Sequence, residues 1–330
     1  MEEKGGNSES QLPDRVTFSP PTKTDVPELV AVHGAQGRFA WEEFFAGRLR
    51  NPHTRKAYLR AVCRFLEWVG LLEVRLESVT PGMVGQYFDE LPGSPATRKL
   101  HMSAIRGFFN VLVLRHVVIL NPALSVNTER FSVMEGKTPL ITPQQARLLL
   151  DSIVPMNVIA MRDRTIIAVL IYTAARVGAV AKLRIKDLMD EGTQYSLRFE
   201  EKGGKHRSIP VRHDLQQLLM DYVELAGLAA QPRHSSMFRS AAGRTGRLTD
   251  RQITAIDICR MLKRRLKAAG LPSTISPHSF RSCAATDLLL QGVQMEDVQY
   301  LLGHSDARVT KLYDRRQHQV TRNIVERISV

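Results

Sequence analysis

The segments "HSFRSCAATD", residues 278–287, and "LLGHSDARVTKLYDRR", residues 301–316, decide how the fold and its use are interpreted. They bring two histidines, an arginine and a tyrosine together in a chain in which aromatic residues amount to 6%. His278 and Arg281 are three positions apart, so on a helix they share one face. The preceding Ser-Pro places His278 near the helix N-terminus, where the helix dipole disfavours imidazolium and leaves a neutral ring that can accept a proton.

The second segment is open to a plainer interpretation. His304 follows Leu-Leu-Gly, a sequence typical of a helix end, where an exposed histidine is common. Tyr313, taken alone, has the spacing of a tyrosine in a core or at its rim. Their use therefore depends on which other residues the fold brings to them.

Composition limits the class of protein. The chain has 330 residues, enough for two domains, and its 43% hydrophobic and 24% charged residues are typical of a globular protein. No apolar run is long enough to cross a membrane, and the polar N-terminus does not resemble a secretion signal. The three cysteines, Cys63, Cys259 and Cys283, are far apart and predict neither disulfides nor a zinc site. We expect a cytoplasmic, nucleoid-associated protein.

Charge predicts the kind of partner. The formal net charge is +13, and most of the excess lies after residue 137. A positive field of this size favours a polyanion, and nucleic acid is the natural candidate. The residues proposed to contact DNA are Arg55, Arg98, Lys99, Arg106, Lys205, Arg207, Lys263 and Arg264.

The pattern along the chain predicts two folded units. Residues 1–38 are rich in Ser, Pro, Thr, Gly and Glu, and we expect a disordered arm. Residues 39–120 have helical periodicity, and residues 121–138 lose it and are expected to form a linker. Residues 139–330 form a second, larger unit. The predicted fold class is mainly α with a small β-sheet (α+β).

Three segments of the first unit have the pattern of amphipathic helices. Asn51 is suited to cap the first helix, with Pro52 in its first turn, and Gly70 is expected to end it. Thr80 and Ser94 are expected to cap the second and third helices.

The second unit mixes helices with a hairpin. Residues 161–188 are apolar enough for a buried helix followed by a short segment. Residues 194–211 alternate on both sides of a Gly-Gly turn, which predicts a β-hairpin. Residues 229–250 have the composition of a loop, and residues 250–270 are expected to form a helix ending at Gly270.

The polar residues of this unit suit one reaction. Arginine side chains neutralise the charge that a phosphodiester gathers on its non-bridging oxygens in the transition state. A tyrosine hydroxyl, with a pKa of about 10, needs a base before it attacks, and the leaving sugar oxygen needs an acid. The candidate catalytic residues are Arg176, Lys202, His278, Arg281, His304 and Tyr313. We expect no metal or other cofactor, since cations already stabilise the charge and the sequence has no acidic cluster suited to Mg²⁺.

The order and spacing of these residues resemble those of the tyrosine recombinases, the phage-integrase and Xer-like family. The segment "YTAARVGAVAKLRIKDL" is similar to the family's first-arginine motif, and "EKGGKHRSIPV" to its lysine-bearing hairpin. "HSFR" is similar to the His-x-x-Arg box, "LLGHSD" to the second-histidine motif and "TKLYDRR" to the nucleophile motif. The resemblance implies a helical, SAM-like core-binding domain over 39–120 and a mixed α/β catalytic domain over 139–330 with a C-terminal tail at 318–330.

The resemblance also implies a role for each residue. Arg176 and Arg281 would clamp the scissile phosphate, and Lys202 would protonate the 5′ leaving oxygen, with Lys205 as the weaker candidate. His278 would assist proton transfer at the tyrosine, and His304 would donate a hydrogen bond to a non-bridging oxygen. Tyr313 would form a 3′-phosphotyrosyl bond.

One position departs from the family pattern. Three residues after the first arginine the family usually has Glu or Asp, and this chain has Ala179. Three functions stay open: a site-specific recombinase acting in integration, excision or resolution; a topoisomerase IB-like enzyme that rejoins the original strand; and a catalytically silent DNA-binding regulator.

The partners follow from the same resemblance. We expect double-stranded DNA, and a homotetramer on two DNA sites that is a monomer or weak dimer when free. No membrane partner is expected.

Overall fold

The computed structural model describes residues 26–127, 139, 141–200, 204, 206–304 and 306–314. The chain separates into two compact units, Met1–Ser132 and Val133–Val330. Helices predominate and the sheets are small and antiparallel, so the predicted fold class is confirmed. Within the described ranges, no helix combines the length and apolarity that a membrane crossing requires.

The first unit is helical. Its helices are α1 (Glu28–Ala31), α2 (Gly34–Glu42), α3 (Pro52–Leu71), α4 (Pro81–Glu90) and α5 (Pro95–Leu114), with a π-helical turn at Glu43–Arg48. Their apolar faces meet in one core, in which Phe65 and Phe108 are fully buried.

The expectation of a disordered arm over 1–38 is wrong for its last part. Residues 28–31 and 34–42 are helical, and Val30 and Ala40 are fully buried in the core of the first unit. The composition of the arm concealed these helices, because only a few apolar residues attach them to the core. Residues 1–25 lie outside the described residues.

The predicted helix starts are confirmed. The side chains of Asn51, Thr80 and Ser94 each accept a hydrogen bond from a backbone N–H in the first turn that follows. Gly70 does not end α3, which continues to Leu71. The chain instead turns just beyond, where Glu73 has a φ of 55°.

The start of the predicted linker belongs to the first unit. Ala123 is fully buried, and its carbonyl accepts a hydrogen bond of 2.8 Å from Nε of Arg106. The same guanidinium donates to the Val126 carbonyl. Residues 121–127 are therefore held against α5, and residues 128–138 lie outside the described residues.

The second unit combines helices with two small antiparallel sheets. Its elements are α6 (Pro143–Asp151), α7 (Val158–Thr173), α8 (Val177–Lys182), β1 (Leu188–Asp190), β2 (Tyr195–Glu200), β3 (His206–Pro210), α9 (His213–Leu225), β4 (Arg239–Ala241), β5 (Leu248–Gln252), α10 (Ala255–Ala268), α11 (Pro277–Leu290), α12 (Met295–Leu302) and α13 (Ala307–Lys311). α7 is the central element, since it packs against α6, α8, α9, α10 and α11.

The predicted hairpin is confirmed and extended. β2 and β3 pair with Leu197 opposite Ile209 and Phe199 opposite Arg207. β1, which the sequence did not indicate, adds a third antiparallel strand on the other side of β2.

The prediction of a loop over 229–250 is wrong in its second half. β4 and β5 form a hairpin in which Ala241 pairs with Leu248. Fully buried Phe238 anchors the chain just before β4, and its carbonyl accepts from the backbone N–H of Ile253. α10 consequently begins only at Ala255, with Thr254 as its cap.

The buried helix and the short segment predicted within 161–188 are separated by a break. α7 ends at Thr173, and Ala174 has the left-handed conformation, with φ 49° and ψ 25°. A non-glycine residue in this region is uncommon and needs support from its surroundings. The break places Arg176 at the start of α8 rather than inside a helix.

Candidate active site

Arg281 supplies the support for the break after α7. Its side chain is 2% exposed, and its guanidinium donates to the carbonyl of Ala174 at 2.7 Å and to the carbonyl of Leu302. Both carbonyls belong to helix ends, where the backbone has no intrahelical donor. One buried cation therefore satisfies the ends of α7 and α12 and joins them.

Arg176 contacts the residue next to Leu302 at the end of α12. It is exposed at the start of α8, and one guanidinium nitrogen donates to the carbonyl of Gly303 at 3.2 Å. Gly303 has a φ of 60°, the left-handed conformation in which glycine commonly ends a helix. The two arginines of the sequence prediction therefore meet at one turn.

His304 follows that turn directly. Its backbone N–H donates to the carbonyl of Gln299 at 3.1 Å, which fixes the main chain. Its Nδ1 lies 2.9 Å from Oγ1 of Thr310, and its ring stacks on that of Tyr313 with centroids 6.1 Å apart. The histidine is thus held on two sides.

Tyr313 is 8% exposed and packs on a small apolar cluster with Ala285, Leu289 and Leu302. The carbonyl of Tyr313 accepts a hydrogen bond from Oγ1 of Thr286 at 3.4 Å. Because both its backbone and ring are held, the direction of the hydroxyl is defined.

The hydroxyl of Tyr313 points at a base. Its oxygen lies 3.4 Å from Nε2 of His278, the second residue of α11. Burial and the positive charges of Arg281 and Arg176 lower the pKa of His278. A neutral imidazole at hydrogen-bonding distance is placed to accept the phenolic proton.

His304 is also held neutral. Burial lowers its pKa to about 4, with further contributions from the charges of Arg281, Arg176, His278 and Arg207. Two histidines that resist protonation beside two arginines indicate a site built for an anionic ligand, since such a ligand would offset the crowded positive charge.

Lys202 and Lys205 lie outside the described residues, between Glu200 and His206 in the sequence. Ala179, at the position where an acidic residue is usual, lies in α8 and borders a cavity of about 150 Å³.

Several residues predicted to contact DNA have partners within the fold. Arg55 donates to the carbonyl of Leu49 at 3.1 and 2.9 Å, and Arg98 donates to the carbonyl of Leu91 at 3.4 Å. Arg106 donates to the carbonyls of Ala123 and Val126, whereas Lys99 is exposed.

Arg207 is not at the surface. It is 5% exposed, donates to the carbonyl of Tyr300 at 3.5 Å and lies over the ring of Phe199. This burial argues against a surface contact with DNA, because the side chain links β3 to α12.

A basic surface lies along α10. Lys263 and Arg264 are exposed there and border a cavity of about 540 Å³ together with Arg251 and Arg260. The sequence analysis missed Arg260, although this residue is three positions before Lys263 and four before Arg264 and so shares their helix face.

The sequence analysis also missed Thr310, for which only the spacing to Tyr313 offered a signal.

The comparison with protein families matches both units. The model of the phage integrase family matches residues 139–319, and the model of the phage integrase N-terminal SAM-like domain matches residues 41–116.

Individual relatives match over most of their length. The tyrosine recombinase XerD of Chlorobaculum tepidum is 29% identical over 274 residues, which cover 80% of this chain and 86% of that protein. XerC of Myxococcus xanthus is 28% identical over 272 residues, which cover 80% of this chain and 87% of that protein.

Among solved structures, XerH recombinase bound to a palindromic difH substrate matches with a TM-score of 0.70 at 17% identity, covering 93% of this chain and 99% of that one. A lambda integrase dimer bound to a core site matches with a TM-score of 0.64 at 20% identity, covering 85% and 76%.

The lowered pKa of His304 predicts how stability depends on pH. In the unfolded chain a histidine with a pKa of about 6.5 takes up a proton as the pH falls, whereas folded His304 stays neutral down to about pH 4. The unfolded state then binds more protons, so the stabilisation present above pH 6.5 is lost between pH 6.5 and 4. We expect His304→Gln to reduce this loss by about 1–3 kcal/mol.

The measurement is the free energy of unfolding in urea at several pH values. The matched control is His234→Gln, which removes an exposed ring. If His304→Gln and the wild type lose the same stability as the pH falls, the claim that folded His304 has a lowered pKa is contradicted.

Proposed function

The chain belongs to the phage integrase family, and we propose that it is a site-specific DNA recombinase that cleaves and rejoins strands through a 3′-phosphotyrosyl intermediate. One observation carries this proposal: a tyrosine whose backbone and ring are fixed lies in the same site as a neutral histidine and two arginines. Tyr313 and His278 supply a nucleophile and its base, separated by 3.4 Å. Arg176 and Arg281 supply the charge that a phosphodiester needs.

Cleavage is proposed to begin at Tyr313. Its hydroxyl oxygen attacks the scissile phosphorus, and the proton passes to Nε2 of His278. The bond between phosphorus and the 5′ oxygen breaks as the new phosphotyrosyl bond forms. Arg176 and Arg281 neutralise the non-bridging oxygens, and His304 donates a hydrogen bond to one of them.

The leaving 5′ oxygen takes a proton from a general acid. Lys202 is proposed for this role, with Lys205 as the alternative. β2 ends at Glu200 and β3 begins at His206, so both lysines fall in sequence between the two paired strands.

Rejoining reverses these steps. A 5′ hydroxyl attacks the phosphotyrosyl bond, the tyrosine leaves and takes a proton back, and no ATP is consumed because the protein–DNA bond conserves the energy of the phosphodiester. Rejoining to a strand from a second site produces recombination.

The DNA partner is proposed to contact the basic surface of α10. Lys263 and Arg264 are exposed there beside Arg251 and Arg260, and cations of this density bind phosphates with an affinity that falls as salt rises. An enzyme of this kind works where DNA is, in the cytoplasm at the nucleoid.

The assembly is proposed to be a homotetramer on two DNA sites, and a monomer or weak dimer when free. A groove of about 490 Å³ lies between α6, α7 and α11, and its floor includes Leu150, Ile171 and Phe280. The tail 318–330 has apolar residues that suit it: Val320, Ile324, Val325, Ile328 and Val330. We propose that the tail of one protomer fills the groove of its neighbour, which closes a head-to-tail ring.

Tyr313→Phe tests the nucleophile. The change removes only the hydroxyl, so folding and DNA binding should be retained while the covalent adduct disappears. The measurement is a denaturing gel of protein incubated with a nicked DNA substrate carrying its target site.

Tyr300→Phe is the matched control, because Tyr300 is 69% exposed on α12. This variant should form the adduct at the wild-type level. A denaturant-resistant protein–DNA complex formed by Tyr313→Phe would show that another residue attacks.

Deletion of residues 321–330 tests the tail. Binding to one half-site should be retained, whereas cooperative pairing on a full site should weaken about tenfold or more, within the usual range of coupling between sites. A gel-shift titration that separates singly from doubly occupied DNA measures both.

Ala284→Arg, in the wall of the groove, should reproduce the loss of cooperativity. Unchanged cooperativity in the truncated protein would mean that the tail packs on its own protomer.

A further inference from the structure

Thr310 is a fully buried hydroxyl with an unusual partner. It lies in α13 with 0% exposure, and its Oγ1 is 2.9 Å from Nδ1 of His304. Two other fully buried threonines, Thr165 and Thr173, donate to the carbonyl four residues earlier in their helix, at 2.8 and 2.6 Å. Within the part of the chain that the structure describes, the His304 ring is the partner of the Thr310 hydroxyl.

This arrangement decides which ring nitrogen carries the proton. If Nδ1–H donated to Oγ1, the hydroxyl hydrogen of Thr310 would be buried with no acceptor among the described residues. A buried donor without an acceptor is costly, because it has lost its hydrogen bond to water. The hydroxyl therefore donates to Nδ1, and the proton of the neutral ring resides on Nε2.

The surroundings of His304 keep its ring neutral. A neutral ring carries one proton, which can reside on either Nδ1 or Nε2. The charged and titratable groups that face it come from three elements and the segment after α13: Arg207 on β3, Arg176 at the start of α8, His278 and Arg281 on α11, and Tyr313 beyond α13. Burial, together with the charges of Arg281, Arg176, His278 and Arg207, holds the pKa of His304 at about 4. A neutral imidazole donates a hydrogen bond only from its protonated nitrogen.

We propose that Thr310 is a positioning residue that holds His304 in the Nε2–H tautomer. The nitrogen that faces away from Thr310 is then a hydrogen-bond donor without the ring being charged. This proposal rests on the proposed function for its purpose, since a non-bridging phosphate oxygen is the acceptor that such a donor would serve. In the other tautomer the same nitrogen would present a lone pair to the phosphate, and transition-state stabilisation would be lost.

The tautomer is measured directly by long-range proton–nitrogen NMR of the full chain labelled with ¹⁵N-histidine at pH 7. The resonances of His304 are assigned by their absence in His304→Gln. The wild type should show a protonated Nε2 and an unprotonated Nδ1. Thr310→Val, which keeps the shape and removes the hydroxyl, should show a mixture of tautomers, and Thr310→Ser should restore the wild-type pattern.

Cleavage is measured on the same proteins as the rate of covalent adduct formation on nicked DNA. Thr310→Val should slow it about tenfold to hundredfold, at or below the lower end of the range for losing one donor to a developing anion, because part of the population keeps the Nε2–H tautomer, while Thr310→Ser stays within a few-fold. Thr165→Val is the matched control, since it also removes a buried hydroxyl, and it should leave both the tautomer and the rate unchanged.

The outcomes separate the two proposals. A proton on Nδ1 in the wild-type spectrum overturns the role of Thr310, whatever the variants do, and so does an unchanged spectrum in Thr310→Val. If the tautomers behave as expected but wild-type protein forms no adduct, the recombinase function fails and the tautomer assignment stands.

Discussion

Two hydrogen bonds from the buried Arg281 guanidinium hold two helix ends of the catalytic unit together. They join the carbonyl of Ala174, at the end of α7, to the carbonyl of Leu302, at the end of α12. A buried guanidinium without partners would be strongly destabilising, and so would buried helix-end carbonyls without donors. The hydrogen bonds between them remove both costs. Because Arg176 follows one of these ends and His304 follows the other, the same contact sets the distance between them.

Burying the two histidines beside cations also bears on the chemistry. Burial, with the charges of Arg281 and Arg176, lowers the pKa of both His278 and His304, which keeps the two rings neutral while leaving positive charge around them. One neutral ring is then placed to accept the proton of Tyr313, and the other is placed to donate a hydrogen bond. In the proposed mechanism the two rings act as base and donor because their partners differ: the hydroxyl of Tyr313 for His278, and the hydroxyl of Thr310 for His304.

Sequence alone predicted the features that depend on neighbouring residues. The caps at Asn51 and Ser94 and the β2–β3 hairpin follow from local preferences, and His278 lies at the start of a helix as its Ser-Pro context indicated. The break at Ala174 could not be predicted, because its support comes from Arg281, 107 positions away. The burial of Arg207 was hidden for the same reason, since a basic residue in a hairpin is ordinarily exposed, and this one is covered by α12.

The measurement that tests this account most directly is amide hydrogen exchange in Arg281→Met compared with the wild type. Methionine fills the buried space with an apolar side chain of similar length, and it cannot donate the hydrogen bonds to the Ala174 and Leu302 carbonyls. The account predicts at least about tenfold faster exchange for two amides: that of Val180, bonded to the Arg176 carbonyl just after the break that ends α7, and that of His304, bonded to the Gln299 carbonyl at the end of α12. The amide of Ile167 in the middle of α7 should keep its protection. Unchanged protection of Val180 and His304 would contradict the claim that Arg281 holds the two ends of the site together.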